Sequence, residues 1–150
     1  MPRHSYCRCW LHMIWGTWER RSILDRAARA RVSRFLSEYA REKGIYMLIN
    51  HANADHVHVL IDLPKSQSIE NVAKLLKGSS SHWINENNLV ADKFSWGRGY
   101  GAFSVSQSVL RKVADYIARQ EEHHRKRNFV QECEGLVRAY GLTWYDDENR

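Results

Sequence analysis

The run Asp55-His56-Val57-His58-Val59-Leu60-Ile61-Asp62 constrains this chain more than any other segment. Its β-branched, alternating character predicts a strand, and residues two apart in a strand point to the same side. His56 and His58 therefore share one face, while Val57 and Val59 share the other. Two neutral imidazoles on one face form part of a divalent-metal site with open positions, which phosphodiester chemistry requires. The same pattern also suits a solvated strand face, so the choice rests on the rest of the chain.

The flanking segments fix the element order. Tyr6 to Thr17 is rich in aromatics and β-formers and predicts a first strand. Ser22 to Lys43 carries apolar residues at a 3.6-residue period and predicts a helix stopped by Gly44. Ile45 to Ile49 predicts a second strand, Asn50 to Asp55 a turn, and Val57 to Leu63 a third strand. Ser68 caps a helix with Val72, Leu76 and Ile84 on its inner face, followed by a loop from Asn85 to Asp92. Phe94 to Val105 is strand-like but broken by Gly97, Gly99 and Gly101. Ser106 caps a long helix to about Lys126, and a short helix from Phe129 to Tyr140 follows Asn128. The order β-α-β-β-α-β predicts an α+β, ferredoxin-like split βαβ fold. It places an antiparallel sheet under helices on one face, with the third strand central and its histidine face open.

Composition narrows the class. A chain of 150 residues with 43% hydrophobic and 27% charged content suits one soluble domain, here read as residues 1–150. No apolar run approaches a membrane span, and Met1-Pro2-Arg3-His4-Ser5 does not open a signal peptide, so the expected location is cytoplasmic. Cys7, Cys9 and Cys133 are odd in number and lack zinc spacing, which favours reduced thiols. The net charge of +6, with a dense run His123-His124-Arg125-Lys126-Arg127, favours a polyanionic partner; a solvated helix end explains such a run equally well.

In the long C-terminal helix, Tyr116 and Gln120 are four apart and share a face. Alone, Tyr116 reads as a core aromatic and Gln120 as its polar flank. Together with the other segments, however, they carry a family resemblance. Asp55-His56-Val57-His58-Val59-Leu60 resembles the strand of single-tyrosine HUH transposases of the insertion sequence 200/605 type, where U is a bulky apolar residue. His12-Met13-Ile14-Trp15 resembles their first strand, and Lys74-Leu75-Leu76-Lys77-Gly78 with Trp83-Ile84 their second helix. Trp96-x-x-Gly99-Tyr100-Gly101-Ala102-Phe103-Ser104-Val105-Ser106 resembles the strand before the catalytic helix. Val113-x-x-Tyr116-Ile117-x-x-Gln120-x-x-His123-His124 resembles that helix. The similarity runs over nearly the whole chain.

The resemblance implies an enzyme that cleaves and rejoins single-stranded DNA at element ends. It implies Mg²⁺ or Mn²⁺ held by His56, His58 and Gln120, with Tyr116 as the nucleophile forming a 5′-phosphotyrosine. Asp55 is a candidate for orienting a histidine or a water, or a turn residue before the strand. The expected substrate is single-stranded DNA with hairpins, and the expected assembly a homodimer whose tyrosine acts in cis or in trans. Arg3, Arg20, Arg21, Lys74 and Lys77 are candidate phosphate contacts. One departure concerns phosphate contact near the first strand. Many relatives carry a lysine soon after Trp-x-Thr, whereas Thr17 is followed here by Trp18-Glu19-Arg20-Arg21. A domesticated, non-catalytic nucleic-acid-binding protein on the same fold is the alternative. A relaxase or replication initiator fits less well, because those chains are usually longer and often carry a third histidine.

Overall fold

The computed structural model describes residues 5–120 and 127–145. Four strands, β1 (Trp10–Gly16), β2 (Tyr46–Ala52), β3 (His56–Asp62) and β4 (Gly101–Val105), form one sheet in the order β2-β3-β1-β4. Every neighbouring pair is antiparallel. Helix α1 (Arg26–Glu42) links β1 to β2, and α2 (Ile69–Glu86) links β3 to β4. This is the split βαβ arrangement expected from the sequence, with β1 and β3 at the centre.

Side-chain alternation on the two central strands divides the molecule into two layers. Leu11, Met13 and Trp15 of β1 and Val57, Val59 and Ile61 of β3 point to the α1/α2 side. There they meet Val32, Leu36, Val72, Leu76 and Ile84, all fully buried. Each such side chain contributes on the order of 1.5–3 kcal/mol of hydrophobic stabilisation. Both helices begin on a side-chain cap. Asp25 accepts from Ala28 N at 2.8 Å, and Ser68 accepts from Asn71 N at 3.0 Å. Helix α1 starts later than its apolar period suggested, because Asp25 rather than Ser22 satisfies the first-turn amides.

The opposite face carries His12, Ile14, His56, His58 and Leu60, and it is not open. Helix α3 (Leu110–Ala118) crosses it at the β2 side, where Ile117, Val113 and Tyr116 pack on Leu60 and Trp10. Helix α4 (Phe129–Ala139) covers the part that holds the histidines. A capping box starts α4, since Asn128 accepts from Gln131 N and the Gln131 side chain accepts from Asn128 N. The expected platform is therefore a roofed chamber, because the C-terminal helices fold back over the sheet.

The expected long helix from Ser106 is a 3₁₀ turn at Gln107–Val109 followed by α3. Arg119 N bonds back to Asp115 O and Tyr116 O, closing α3 at Ala118. The basic run at 123–126 lies outside the described residues. The glycine-broken segment before β4 contributes only a bridge between Thr17 and Trp96. Strand β4 begins at Gly101, where an added Cβ would lie 2.9 Å from Ile14 Cγ2 and 2.9 Å from Phe103 Cε2. Gly101→Ala is expected to destabilise the fold by about 1–3 kcal/mol through this overpacking, read as a lower denaturant midpoint at unchanged slope.

Candidate active site

The β2–β3 turn and the β1–β3 pairing set the two histidines. Asn53 N donates to His56 O at 2.7 Å and Thr17 N to Asp55 O at 2.8 Å, so the start of β3 is tied to both neighbouring strands. Ile14 pairs with His58 and Gly16 with His56. Gly16 leaves space for an aromatic roof over His56, where the Phe129 ring stacks at 4.4 Å and 19°. An added Cβ at Gly16 would lie 2.5 Å from Phe129 Cε2.

Each histidine is held by its outer nitrogen. His56 Nδ1 lies 2.7 Å from Asp55 Oδ1, and His58 Nδ1 lies 2.7 Å from His12 Nε2. Both Nε2 atoms turn inward toward one oxygen, Glu132 Oε1, at 3.2 Å from His56 and 3.0 Å from His58. Asn53 Nδ2 also lies 3.1 Å from His56 Nε2. Among the described residues, His56, His58 and Glu132 form the one group of histidine, cysteine and acidic side chains that could hold an ion, their ligand atoms within 4.8 Å of one another. The donor set fits a divalent cation well. Two imidazoles present inward nitrogens, a carboxylate supplies charge, and the outer nitrogens are fixed as histidine ligands require.

Tyr116 closes the chamber from α3. Its ring centroid lies 6.0 Å from that of His58, and its hydroxyl donates to Glu132 Oε2. Gln120 is fully buried beside it and donates from Nε2 to Tyr116 O at 3.2 Å. His56 and His58 are likewise wholly buried, and Glu132 is 2% exposed.

Burial and charge set the protonation states. Burial depresses His12 to about 3, helped by the adjacent His58 and opposed by Glu132. His12 is therefore neutral at working pH and available to accept from His58 Nδ1–H. Burial would also lower His56, but the bonds and charges of Asp55 and Glu132 outweigh it and raise His56 above its ordinary value. Burial raises the Tyr116 phenol, and the Glu132 carboxylate raises it further. The phenol is thus fully protonated in this arrangement.

The sequence expectations meet this geometry unevenly. His56, His58, Tyr116 and Gln120 come together in one buried chamber, and Asp55 holds His56. Arg3 lies outside the described residues. Arg21 pairs with Glu19 at 2.7 Å on the surface. Arg20, with φ +58°, lines a cavity beside Gly97 and Phe129. Lys74 is exposed on α2, across the sheet from the histidines. Lys77 donates to Gly97 O at 2.9 Å and Gly99 O at 2.7 Å, so its ammonium holds the glycine loop. Two residues of the chamber escaped the sequence reading. His12 was visible as part of a first-strand motif and near Cys7 and Cys9, but its place beside His58 follows from the β1–β3 register. Glu132 lies on the apolar stripe Phe129, Cys133, Leu136 and Val137 of α4, and a charge on such a stripe was the available signal.

Comparison with known proteins follows the same lines. Residues 5–120 match the family model described as "Transposase IS200 like". The transposase for insertion sequence element IS200 of Salmonella typhimurium is 27% identical over 127 residues, covering 81% of this chain and 83% of that protein. The ISDra2 transposase TnpA of Deinococcus radiodurans is 24% identical over 116 residues, covering 74% and 83%. Among solved structures, a Deinococcus radiodurans R1 chain described as a transposase superposes with a TM-score of 0.64 at 22% identity, covering 80% of this chain and 96% of that one. A REP-associated tyrosine transposase bound to a REP hairpin superposes with a TM-score of 0.61 at 16% identity, covering 100% and 93%. These two structures share the fold.

The His12 shift has a measurable consequence. Its folded value near 3 lies below the unfolded 6.5, so its contribution to stability is complete above pH 6.5 and is lost as pH falls. At about 1.4 kcal/mol per pH unit, the loss reaches about 2 kcal/mol at pH 5. His56 is shifted the other way; its contribution is complete below pH 6.5 and fades only above it, outside this window. The urea midpoint should therefore fall between pH 6.5 and 5, and His12→Gln should flatten that decline. An undiminished slope in the variant would assign the pH dependence to other groups.

Proposed function

Because the chain belongs to the IS200-like transposase family, we propose that its buried chamber cleaves and rejoins single-stranded DNA through a covalent tyrosine intermediate. The observation that carries this reading is the convergence of His56 Nε2, His58 Nε2 and the Tyr116 hydroxyl on one carboxylate. That point is where a scissile phosphate would meet both its activating groups and its nucleophile.

His56 and His58 would hold Mg²⁺ or Mn²⁺, with a third donor from Glu132, which stands beside them here, or from Gln120, as the family resemblance implies. When bound, the ion would act as a Lewis acid on the scissile phosphate and offset charge as it develops. The protein's own groups supply the rest. Asp55 and His12 keep the two imidazoles turned inward. Tyr116 Oη attacks phosphorus, the bond from phosphorus to the 3′ oxygen breaks, and a 5′-phosphotyrosine and a free 3′-hydroxyl result. One proton leaves the phenol and one joins the 3′ oxygen. The phosphodiester is exchanged rather than hydrolysed, so another 3′-hydroxyl can reverse the step on a new strand without a nucleotide cofactor. A DNA hairpin is the substrate class, since the REP-associated tyrosine transposase of the same fold is bound to one. Within one chain, Tyr116 stands beside its own His58, which supports attack in cis.

Incubation with single-stranded DNA from the flanks of the encoding gene and Mn²⁺ should yield a covalent adduct, with mass spectrometry placing the phosphoryl group on Tyr116. Tyr116→Phe and His58→Ala should abolish it. Hairpin binding without any adduct would instead mark a non-catalytic binding protein. Asp55→Asn should weaken Mn²⁺ binding by about 10–100-fold while leaving the fold intact, as measured by calorimetry and circular dichroism.

A further inference from the structure

The turn into β3 places an amide beside the histidine pair. The pairing of β2 with β3 sets His51 against His58 and Ala52 against Val57, so the next pair along is Asn53 and His56. Asn53 N donates to His56 O at 2.7 Å, and only Ala54 and Asp55 lie between the two residues. Directly opposed residues of an antiparallel pair project to the same face. Asn53 therefore turns its side chain to the histidine face, while Ala52 joins Val57 in the apolar layer. Asn53 is 6% exposed, and its Nδ2 lies 3.1 Å from His56 Nε2.

That contact cannot persist in a loaded site. His56 Nδ1 faces the Asp55 carboxylate at 2.7 Å, so in the neutral ring Nδ1 carries the proton and Nε2 the lone pair. The Asn53 N–H points at that lone pair. A cation held by His56 takes the same lone pair, because imidazole binds a metal through its unprotonated nitrogen. The amide N–H then needs another acceptor, since a buried donor without a partner is costly. The second imidazole does not offer one: His58 Nε2 serves the ion as well, and His58 Nδ1 is engaged with His12. A phosphodiester seated at the two histidines brings non-bridging oxygens to this spot. They are anionic acceptors, for which N–H donors form their stronger hydrogen bonds.

We propose that the side-chain amide of Asn53 donates to a non-bridging oxygen of the scissile phosphate. This inference rests on the tyrosine transposase reading for the identity of the substrate. As Tyr116 Oη attacks, charge is spread over the non-bridging oxygens, and a donor fixed in advance stabilises it without reorganisation. The hairpin fixes this donor. The bond from Asn53 N to His56 O ties the amide to the same strand pair that aims His56, so phosphate donor and metal ligand are positioned together. A neutral amide also avoids the repulsion that a second cation would meet beside the ion.

Binding to the full-length Tyr116→Phe protein tests the contact apart from catalysis. Fluorescence anisotropy would follow a hairpin-bearing single-stranded oligonucleotide from the gene flanks, with Mn²⁺ present. Adding Asn53→Ala should weaken binding at least about 10-fold, the loss expected for one hydrogen bond to a charged group. Equal binding, or no binding by parent and variant alike, would overturn the assignment. Calorimetry without DNA should show the Mn²⁺ affinity of Asn53→Ala within about 3-fold of the parent; a larger loss would make Asn53 a ligand of the ion and overturn the phosphate contact. Asn53→Asp keeps the shape and replaces the donor with a carboxylate, so it carries the test should Asn53→Ala fail to fold by circular dichroism. It should retain Mn²⁺ and lose at least as much oligonucleotide affinity as Asn53→Ala; parent-like oligonucleotide binding would overturn the contact. With Tyr116 present, sulfur in place of one non-bridging oxygen gives a readout that a merely structural role would not move, because sulfur is a weak acceptor. One stereoisomer should slow adduct formation by the parent and have little further effect on Asn53→Ala; equal slowing of both proteins by each isomer would overturn the contact. Weaker binding by Asn53→Ala with no adduct from the parent supports the contact and removes the tyrosine chemistry. An adduct formed equally fast by parent and variant removes the contact and keeps the chemistry.

Discussion

The site depends on two outward hydrogen bonds. Asp55 takes the outer nitrogen of His56 and His12 takes that of His58, each at 2.7 Å. An imidazole has two nitrogens and one useful orientation, and fixing one nitrogen aims the other. Because Asp55 precedes β3 and His12 lies on β1, the aim is set by the β1–β3 pairing at the centre of the sheet. The hydrophobic layer of Val57, Val59 and Ile61 under α1 and α2 makes that pairing rigid. A core of ordinary apolar residues thus fixes the direction of two lone pairs on the opposite face.

That opposite face bears the cost. His12, His56, His58, Gln120 and Glu132 are all buried there, where an apolar surface would have been more stabilising. They are tolerable together because most of their polar atoms face one another. His12 remains neutral, His56 is drawn toward the charged form by two carboxylates, and Tyr116 keeps its proton beside Glu132. The arrangement is self-satisfied, and its components are also those a divalent ion and a phosphate would rearrange. Both histidines and the tyrosine thus meet at one carboxylate on the last described helix.

Much of this was legible in the sequence. Strand alternation around His56-Val57-His58 gave the shared face, and helix spacing gave Tyr116 and Gln120 a common side. The element order gave the sheet, because each change of period marks a change of element. What escaped was long-range. The partnership of His12 with His58 needs the β1–β3 register, which spans 46 residues of chain. The reach of Glu132 to His58 spans 74. Lys77 read as a phosphate contact because a surface lysine gives no local sign that two carbonyls 20 and 22 residues away will claim it. The roof over the histidine face was hidden for a similar reason: the period of Phe129 to Tyr140 marks a helix without saying where it docks.

The inward pair of imidazole nitrogens is the central claim, and pulsed electron paramagnetic resonance of the Mn²⁺-loaded protein addresses it directly. Nitrogen couplings from two imidazoles are expected, one of them lost in His56→Ala and the other in His58→Ala. A Mn²⁺ signal without imidazole coupling, or one unchanged in both variants, would place the ion elsewhere and contradict this assignment of the site.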